Sequence, residues 1–247
     1  MKRTLVLVSA ALLLLALFAC SENALMKSMS VNEKMDRGNA LYEQGKWRKA
    51  APYFQEVVFE RRTAFTNEAQ FKLAECYFNQ EKWSDARYEY EALIRLFPDY
   101  SDIAIAYYRL AQCWFEESLS FHYTQDETVS AIDAFRVFIE RFPDNGHVAE
   151  AQDFIVKAQY KLLQKSYMNG YIYYRTYDYS AALLYFDEVR AAALNAPIDC
   201  KSLYYSAKIH LYRKDYEKAQ PVIAELVARY PQSREARRLG KRLAEQP

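Results

Sequence analysis

Four cysteines and three histidines are the residues of this chain best suited to metal or nucleophilic chemistry. Cys20 stands alone near the amino terminus, and Cys76, Cys113 and Cys200 are too far apart for a CxxC pair or a zinc-ligand spacing. His122, His147 and His210 form no HExxH pair. The chain has no G-x-S-x-G elbow, no Walker glycine loop and no dinucleotide fingerprint. Its many carboxylates fall at the spacings of solvated helix faces. No catalytic residue, metal site or cofactor is therefore expected, and the chain reads as a non-enzyme. An oxidising compartment would permit a disulfide, but Cys76 and Cys113 occupy equivalent places in a repeat. The three later cysteines are read as small buried residues.

The elements begin with a leader. Lys2 and Arg3 precede an apolar run from Leu5 to Ala19, broken by Ser9. About 15 apolar residues fall short of the roughly 20 that span a bilayer as a helix. A basic start, a short apolar stretch and a small-residue exit mark residues 1–19 as a secretory signal peptide. Leu17-Phe18-Ala19-Cys20 resembles the bacterial lipobox, and that resemblance implies a diacylglycerol and an N-acyl chain such as palmitate on Cys20. Several acyl chains, at about 0.8 kcal/mol per buried CH₂, make a stable anchor. Residues 20–31 follow as lipidated cysteine and polar tether. An aspartate after the cysteine tends to retain such lipoproteins in the inner membrane; Ser21 there favours the outer membrane. The chain counts 33 basic against 32 acidic residues, and loss of Lys2 and Arg3 leaves it near −1. Nucleic-acid binding, which needs a basic footprint, is not expected.

Four stretches repeat: "GKWRKAAPYFQEVV" from Gly45, "EKWSDARYEYEALI" from Glu81, "TYDYSAALLYFDEV" from Thr176 and "RKDYEKAQPVIAEL" from Arg213. Each sets an aromatic three residues before an alanine: Trp47 and Ala50, Trp83 and Ala86, Tyr179 and Ala182, Tyr216 and Ala219. The phrases "LFPD", "RFPD" and "RYPQ" close three repeats at Pro98, Pro143 and Pro231. Small residues at Gly38, Ala74, Ala111, Gly170 and Ala207 let paired helices approach, and each closing proline ends a helix. The spacing is that of the tetratricopeptide repeat, about 34 residues of helix–turn–helix. An all-α tetratricopeptide solenoid of about five repeats is expected. A loop "LSFHYTQDET" stretches the third repeat, a helix from about Val148 to Tyr174 opens the fourth, and "SREARRLGKRLAEQ" caps the stack. The fourth repeat closes on "AAALNAP", which leaves its register open.

In such a stack the first helix of each repeat lines the groove. Positions around the small residue place Met35, Asn39 and Tyr42, then Phe71, Glu75 and Phe78, then Tyr108, Gln112 and Phe115 on that face. The same register gives Tyr167, Tyr171 and Tyr174, and Tyr204, Lys208 and Leu211. Aromatic pockets beside amides suit an extended apolar peptide, with Asn39, Gln112 or Asn79 on its backbone. The other reading is that the rings pack on one another. Phe121, His122 and Tyr123 of the third-repeat loop either fold back on the stack or meet a partner. Arg213, Lys214, Arg234, Arg237 and Arg238 cluster basic charge at one end, suited to an acidic partner surface or simply to a solvated helix face.

A lipobox, five such repeats, the long loop and the extended helix together resemble the BamD (ComL) family, lipoproteins of the outer-membrane β-barrel assembly machinery. The phrase "SLSFHYTQDETVSAIDAFRVFIERFPDN", residues 118–145, carries the resemblance furthest. It implies a non-catalytic scaffold of the BAM complex on the periplasmic face of the outer membrane. It further implies that repeats 1–3, residues 32–145, bind nascent outer-membrane proteins. Repeats 4–5 with the cap, residues 146–247, would dock the POTRA-bearing barrel subunit, with other assembly lipoproteins bound elsewhere. A different periplasmic tetratricopeptide adaptor, coordinating envelope or cell-division proteins, is the alternative.

Overall fold

The computed structural model describes residues 26, 28–60, 63–193 and 197–244. The leader and Cys20 lie outside the described residues. Eleven helices are present among the described residues, with no strand. They are α1 (Val31–Glu43), α2 (Trp47–Phe59), α3 (Thr66–Phe78), α4 (Trp83–Leu96), α5 (Ile103–Glu117), α6 (Asp126–Arg141), α7 (Val148–Arg175), α8 (Tyr179–Ala191), α9 (Pro197–Tyr212), α10 (Tyr216–Arg229) and α11 (Arg234–Ala244). The expected all-α repeat fold is present, and each repeat is one pair of helices.

The chain forms two compact units. Among the described residues, those up to 117 together with 130–152 make unit 1, and 118–129 together with those from 153 onward make unit 2. In unit 1, α1 packs on α2, α2 on α3, α3 on α4 and α4 on α5; in unit 2, α8 packs on α9, α9 on α10, and α11 on both α9 and α10.

Local chemistry explains the boundaries. Ser30 caps α1: its Oγ accepts from Glu33 N at 3.3 Å while Glu33 Oε2 accepts from Ser30 N at 2.8 Å. Two orphan amides are satisfied reciprocally, which fixes the first turn of α1 at Val31. Between the two helices of repeats 1, 2, 4 and 5 the chain turns through a left-handed residue: Gly45 (φ 68°), Glu81 (58°), Tyr177 (65°) and Lys214 (58°). Each turn carries the same long backbone bond, from Lys46 N to Leu41 O (2.9 Å), Lys82 N to Tyr77 O (3.0 Å), Asp178 N to Tyr173 O (3.0 Å) and Asp215 N to His210 O (2.9 Å). This is the Schellman closure of a helix end. Only the first repeat uses the glycine such a conformation favours.

The closing prolines act through the residue before them, which is driven out of the helical region. Phe97 (ψ 58°) and Tyr230 (ψ 53°) are the caps of α4 and α10, just ahead of Pro98 and Pro231. The small residues do what their spacing predicted. A Cβ on Gly38 would meet the Phe54 ring at 2.8 Å, and one on Gly170 the Phe186 ring at 2.9 Å. Ala74, Ala111 and Ala207 are fully buried.

Two boundaries move from expectation. The third-repeat loop is 118–125, because Asp126 and Glu127 already belong to the first turn of α6. Carboxylates there face unpaired amides and the positive helix end. The register of repeat 4 resolves with α8 ending at Ala191 and α9 starting on Pro197, the position where proline's missing N–H costs no bond.

Candidate peptide-binding faces

In unit 1 several of the expected groove positions are linked to one another, by charge as much as by rings. Asn39 Oδ1 accepts from Lys72 Nζ at 2.7 Å, and the same ammonium sits 5.8 Å from the Tyr42 ring centroid. Glu68 pairs with Lys72 at 2.9 Å. Buried Glu75 accepts from Tyr90 Oη and lies 3.5 Å from Arg109 Nε. Arg109 covers the Phe78 ring at 4.4 Å and donates to Gln112 Oε1 at 2.9 Å; Gln112 in turn donates to Tyr108 Oη at 3.0 Å. Burial, then the Glu75 carboxylate, pushes Tyr42 up to about 12.

The rings divide into two groups. Tyr42 and Phe78 each meet the aromatic five residues on, across the turn: Tyr42–Trp47 at 4.7 Å and Phe78–Trp83 at 5.1 Å, both edge-to-face. Phe71 packs on Tyr90 and Tyr100 at 6.3 and 5.5 Å. All three are half-buried, one edge in the core and the other on the surface. Tyr108 is buried, stacked on His147 at 4.5 Å, and its hydroxyl bond holds Glu150 below the usual carboxylate range. Met35 is core and Gln112 is also buried, so neither presents its side chain freely. Asn79 caps α3, donating to Glu75 O at 2.7 Å, with the rest of it exposed. Phe115 is half-buried near the end of α5. Lys72 and Arg109 were not among the expected positions. Arg109 stands three residues before Gln112, one helical turn away, which was the available signal.

Unit 2 presents tyrosines packed on tyrosines. Tyr171 lies 5.3 Å from Tyr205 and 6.4 Å from Tyr174, which is 4.8 Å from Tyr205. Lys208 Nζ is 5.3, 5.6 and 5.8 Å from the Tyr174, Tyr204 and Tyr205 centroids, a cation held over ring faces. Arg175, bonded to Tyr171, draws that phenol below its ordinary value. The third-repeat loop lies along α7: Lys161 Nζ donates to Ser118 Oγ at 2.5 Å and Lys165 Nζ to His122 O at 3.3 Å. Phe121 is half-buried there, whereas His122 and Tyr123 are exposed.

The basic residues divide between two places. Arg213 donates to Ser180 Oγ at 3.0 Å and lies 5.8 Å from the Tyr179 ring; Lys214 is the left-handed turn residue. Arg237 and Arg238 line a cleft of about 600 Å³ with Val227, Pro231, Ala236 and Gly240, and Arg234 is exposed at the start of α11. Arg237 also donates to Gln232 O at 3.2 Å. The described residues hold no cluster of metal-ligating side chains, and no helix among them is long and apolar enough to cross a membrane.

Two tetratricopeptide-repeat models match the chain, one over residues 35–101 and the other over 105–145 and 201–233. With the helix pairs above, these define the class: an all-α tetratricopeptide-repeat solenoid. Among curated proteins the chain is 24% identical over 123 residues to the outer membrane protein assembly factor BamD of Caulobacter vibrioides. That match covers 49% of this chain and 37% of the relative's length. Similar solved structures include the P58(IPK) TPR domain, at 15% identity and TM-score 0.45 over 88% of this chain and 65% of that one. The TPR2AB domain of yeast Sti1 in its pHSP90 complex matches at 11% identity and TM-score 0.45, over 83% and 80% of the two chains.

Proposed function

We propose that this chain is a non-catalytic scaffold lipoprotein of the outer-membrane protein assembly (BAM) complex, anchored through acylated Cys20 at the periplasmic face. The observation that carries this reading is the similarity to BamD, joined to a leader that ends on a lipobox-like cysteine. The inner face of unit 1 receives an unfolded β-barrel client as an extended segment. The open edges of Tyr42, Phe71 and Phe78 take apolar side chains, while Lys72 and Arg109 meet backbone or terminal oxygens. Tyr108 and Gln112 hold Arg109 in position rather than touch the client. The basic residues Arg213, Lys214, Arg234, Arg237 and Arg238 dock the POTRA-bearing barrel subunit. A mild-detergent pull-down from native membranes through a carboxy-terminal tag, beside a Cys20→Ser control, tests it. Recovery of a POTRA-bearing barrel protein is expected, with recovery lost in the control. Recovery of soluble envelope proteins alone would favour the second reading, another periplasmic repeat adaptor. That reading is favoured by the short span of the relative that the chain matches.

A further inference from the structure

Unit 1 carries a cleft on a side of the helices other than that of Tyr42, Phe71 and Phe78. The second helices of repeats 1 and 2, α2 and α4, flank this cleft of about 670 Å³. Thr66, Gln70 and Leu73 of α3 line it as well, on a different side of that helix from Phe71, Glu75 and Phe78. The volume is in the range of built ligand pockets, about 300–1,000 Å³.

Its lining is unusual for a solvated helix surface. Between Val31 and Glu117 the exposed large apolar side chains are Phe59 (81%), Tyr88 (66%) and Leu96 (57%), and all three line this one cleft. Scattered exposed apolar residues need no explanation, but their convergence on a single concave site marks an interaction surface. Among them sits Glu89, half-buried, with the Gln70 amide donating to it and no cation paired with it among the described residues. Burial pushes its carboxyl up to about 7. Gln55, Thr63 and the exposed Arg95 line the cleft as well, and Arg95 forms no ion pair with Glu89 among the described residues, so the carboxylate is one that an incoming cation would stabilise.

The shape limits the occupant. A cleft between neighbouring helices is a groove into which the side-chain ridge of a third helix fits. No strand among the described residues offers an edge for an extended peptide to extend. We propose that this cleft docks an amphipathic helix of a partner protein, its apolar ridge seated among Phe59, Tyr88 and Leu96 and a lysine or arginine reaching Glu89. The proposal stands apart from the client and barrel contacts above and does not depend on them.

The test places a photo-crosslinking amino acid at Tyr88 of the full chain in native membranes and sequences the adduct. The expected adduct is one segment of another protein with apolar residues spaced i, i+3 or i+4, and i+7, and a basic residue within that ridge. Leu96→Glu should lower its yield about tenfold, as loss of an interface anchor does. Phe59→Ser, at the most exposed of the three positions, repeats the test if Leu96→Glu fails to fold. Reversing the partner's basic residue to glutamate should abolish the adduct, and Glu89→Lys should restore it. Adducts only with lipid, with another copy of this chain or with a segment lacking that pattern would overturn the proposal. So would no adduct at all, or yields indifferent to Leu96→Glu and Phe59→Ser.

Discussion

The inner faces of the two units use aromatic residues in opposite ways. In unit 1 Tyr42, Phe78 and Phe71 turn an edge toward Trp47, Trp83 and Tyr90, and charge pairs run beside them, Lys72 with Glu68 and Arg109 with the buried Glu75. In unit 2 tyrosines pack on tyrosines, and Lys208 rests on the faces of Tyr174, Tyr204 and Tyr205. The same repeat register thus yields a surface whose charges hold the fold in one unit and a surface whose charge decorates it in the other. The difference lies in burial. Glu75 is buried and must be satisfied by Tyr90 and Arg109, whereas Lys208 is half-exposed and asks nothing of its neighbours.

Removing the two central charges should break this symmetry most visibly. Glu75→Ala leaves Tyr90 Oη without its acceptor and Arg109 without its ion partner and should cost about 2–3 kcal/mol in urea unfolding. Lys208→Met should stay within about 0.5 kcal/mol of wild type in the same assay. Equal costs would erase the distinction. Phe78→Ala removes a ring clasped by Trp83 and Arg109 and should lose about 2 kcal/mol. Tyr171→Ala, from the self-stacked set, should lose less than about 1 kcal/mol by the same measurement.

A smaller effect probes what the units share. Glu81→Gly in unit 1 and Tyr177→Gly in unit 2 each relieve a left-handed residue that carries a Cβ. Each should raise stability by about 0.5–1 kcal/mol, read as a higher urea midpoint. A gain in one unit alone would show that the two turns are not equivalent.

The finest contrast is in pH. Glu89 of unit 1 has its folded value raised from 4.5 to about 7, so the folded chain holds a proton that the unfolded chain has released between those values. Its contribution therefore favours folding as pH falls from about 7 to 4.5. His210 of unit 2 is lowered from 6.5 by burial, so the unfolded chain takes up the proton first, and acidification below 6.5 disfavours folding. Melting temperatures at pH 7.5 and 5.5 should diverge in opposite directions for Glu89→Gln and His210→Gln. Glu89→Gln loses an acid-side gain, and His210→Gln loses an acid-side penalty.

Much of this architecture was legible because the repeat imposes it by size and by backbone. Gly38 and Gly170 stand where a ring passes within 3 Å of an absent Cβ, and the closing prolines stop helices through steric exclusion. The 3.6-residue spacing fixes which positions share a helix face, but not that Met35, Tyr108 and Gln112 there are buried. Whether a ring on that face stays open was not legible either, because it depends on a partner in the next helix. The aromatic pairs Tyr42–Trp47 and Phe78–Trp83 were nevertheless written five residues apart in the chain. Arg109 escaped because a charged residue beside a helix face usually points to water; Glu75 draws it back. The outer cleft was hidden for a related reason. Phe59, Tyr88 and Leu96 each look like ordinary apolar members of an amphipathic helix, and only the stacking of two repeats brings them together.

The buried cysteines have a practical corollary. Burial raises the Cys76 thiol to about 12 and pushes Cys113 and Cys200 upward too, while all three remain unpaired. Thiolate, the species that alkylating reagents attack, is scarce at each of them near neutral pH. A chain lacking Cys20 is therefore already a quiet background for thiol labelling. One cysteine placed at Tyr88 and another at Tyr204 would give two addressable fluorophore positions, one per unit, without first stripping the native residues from the core.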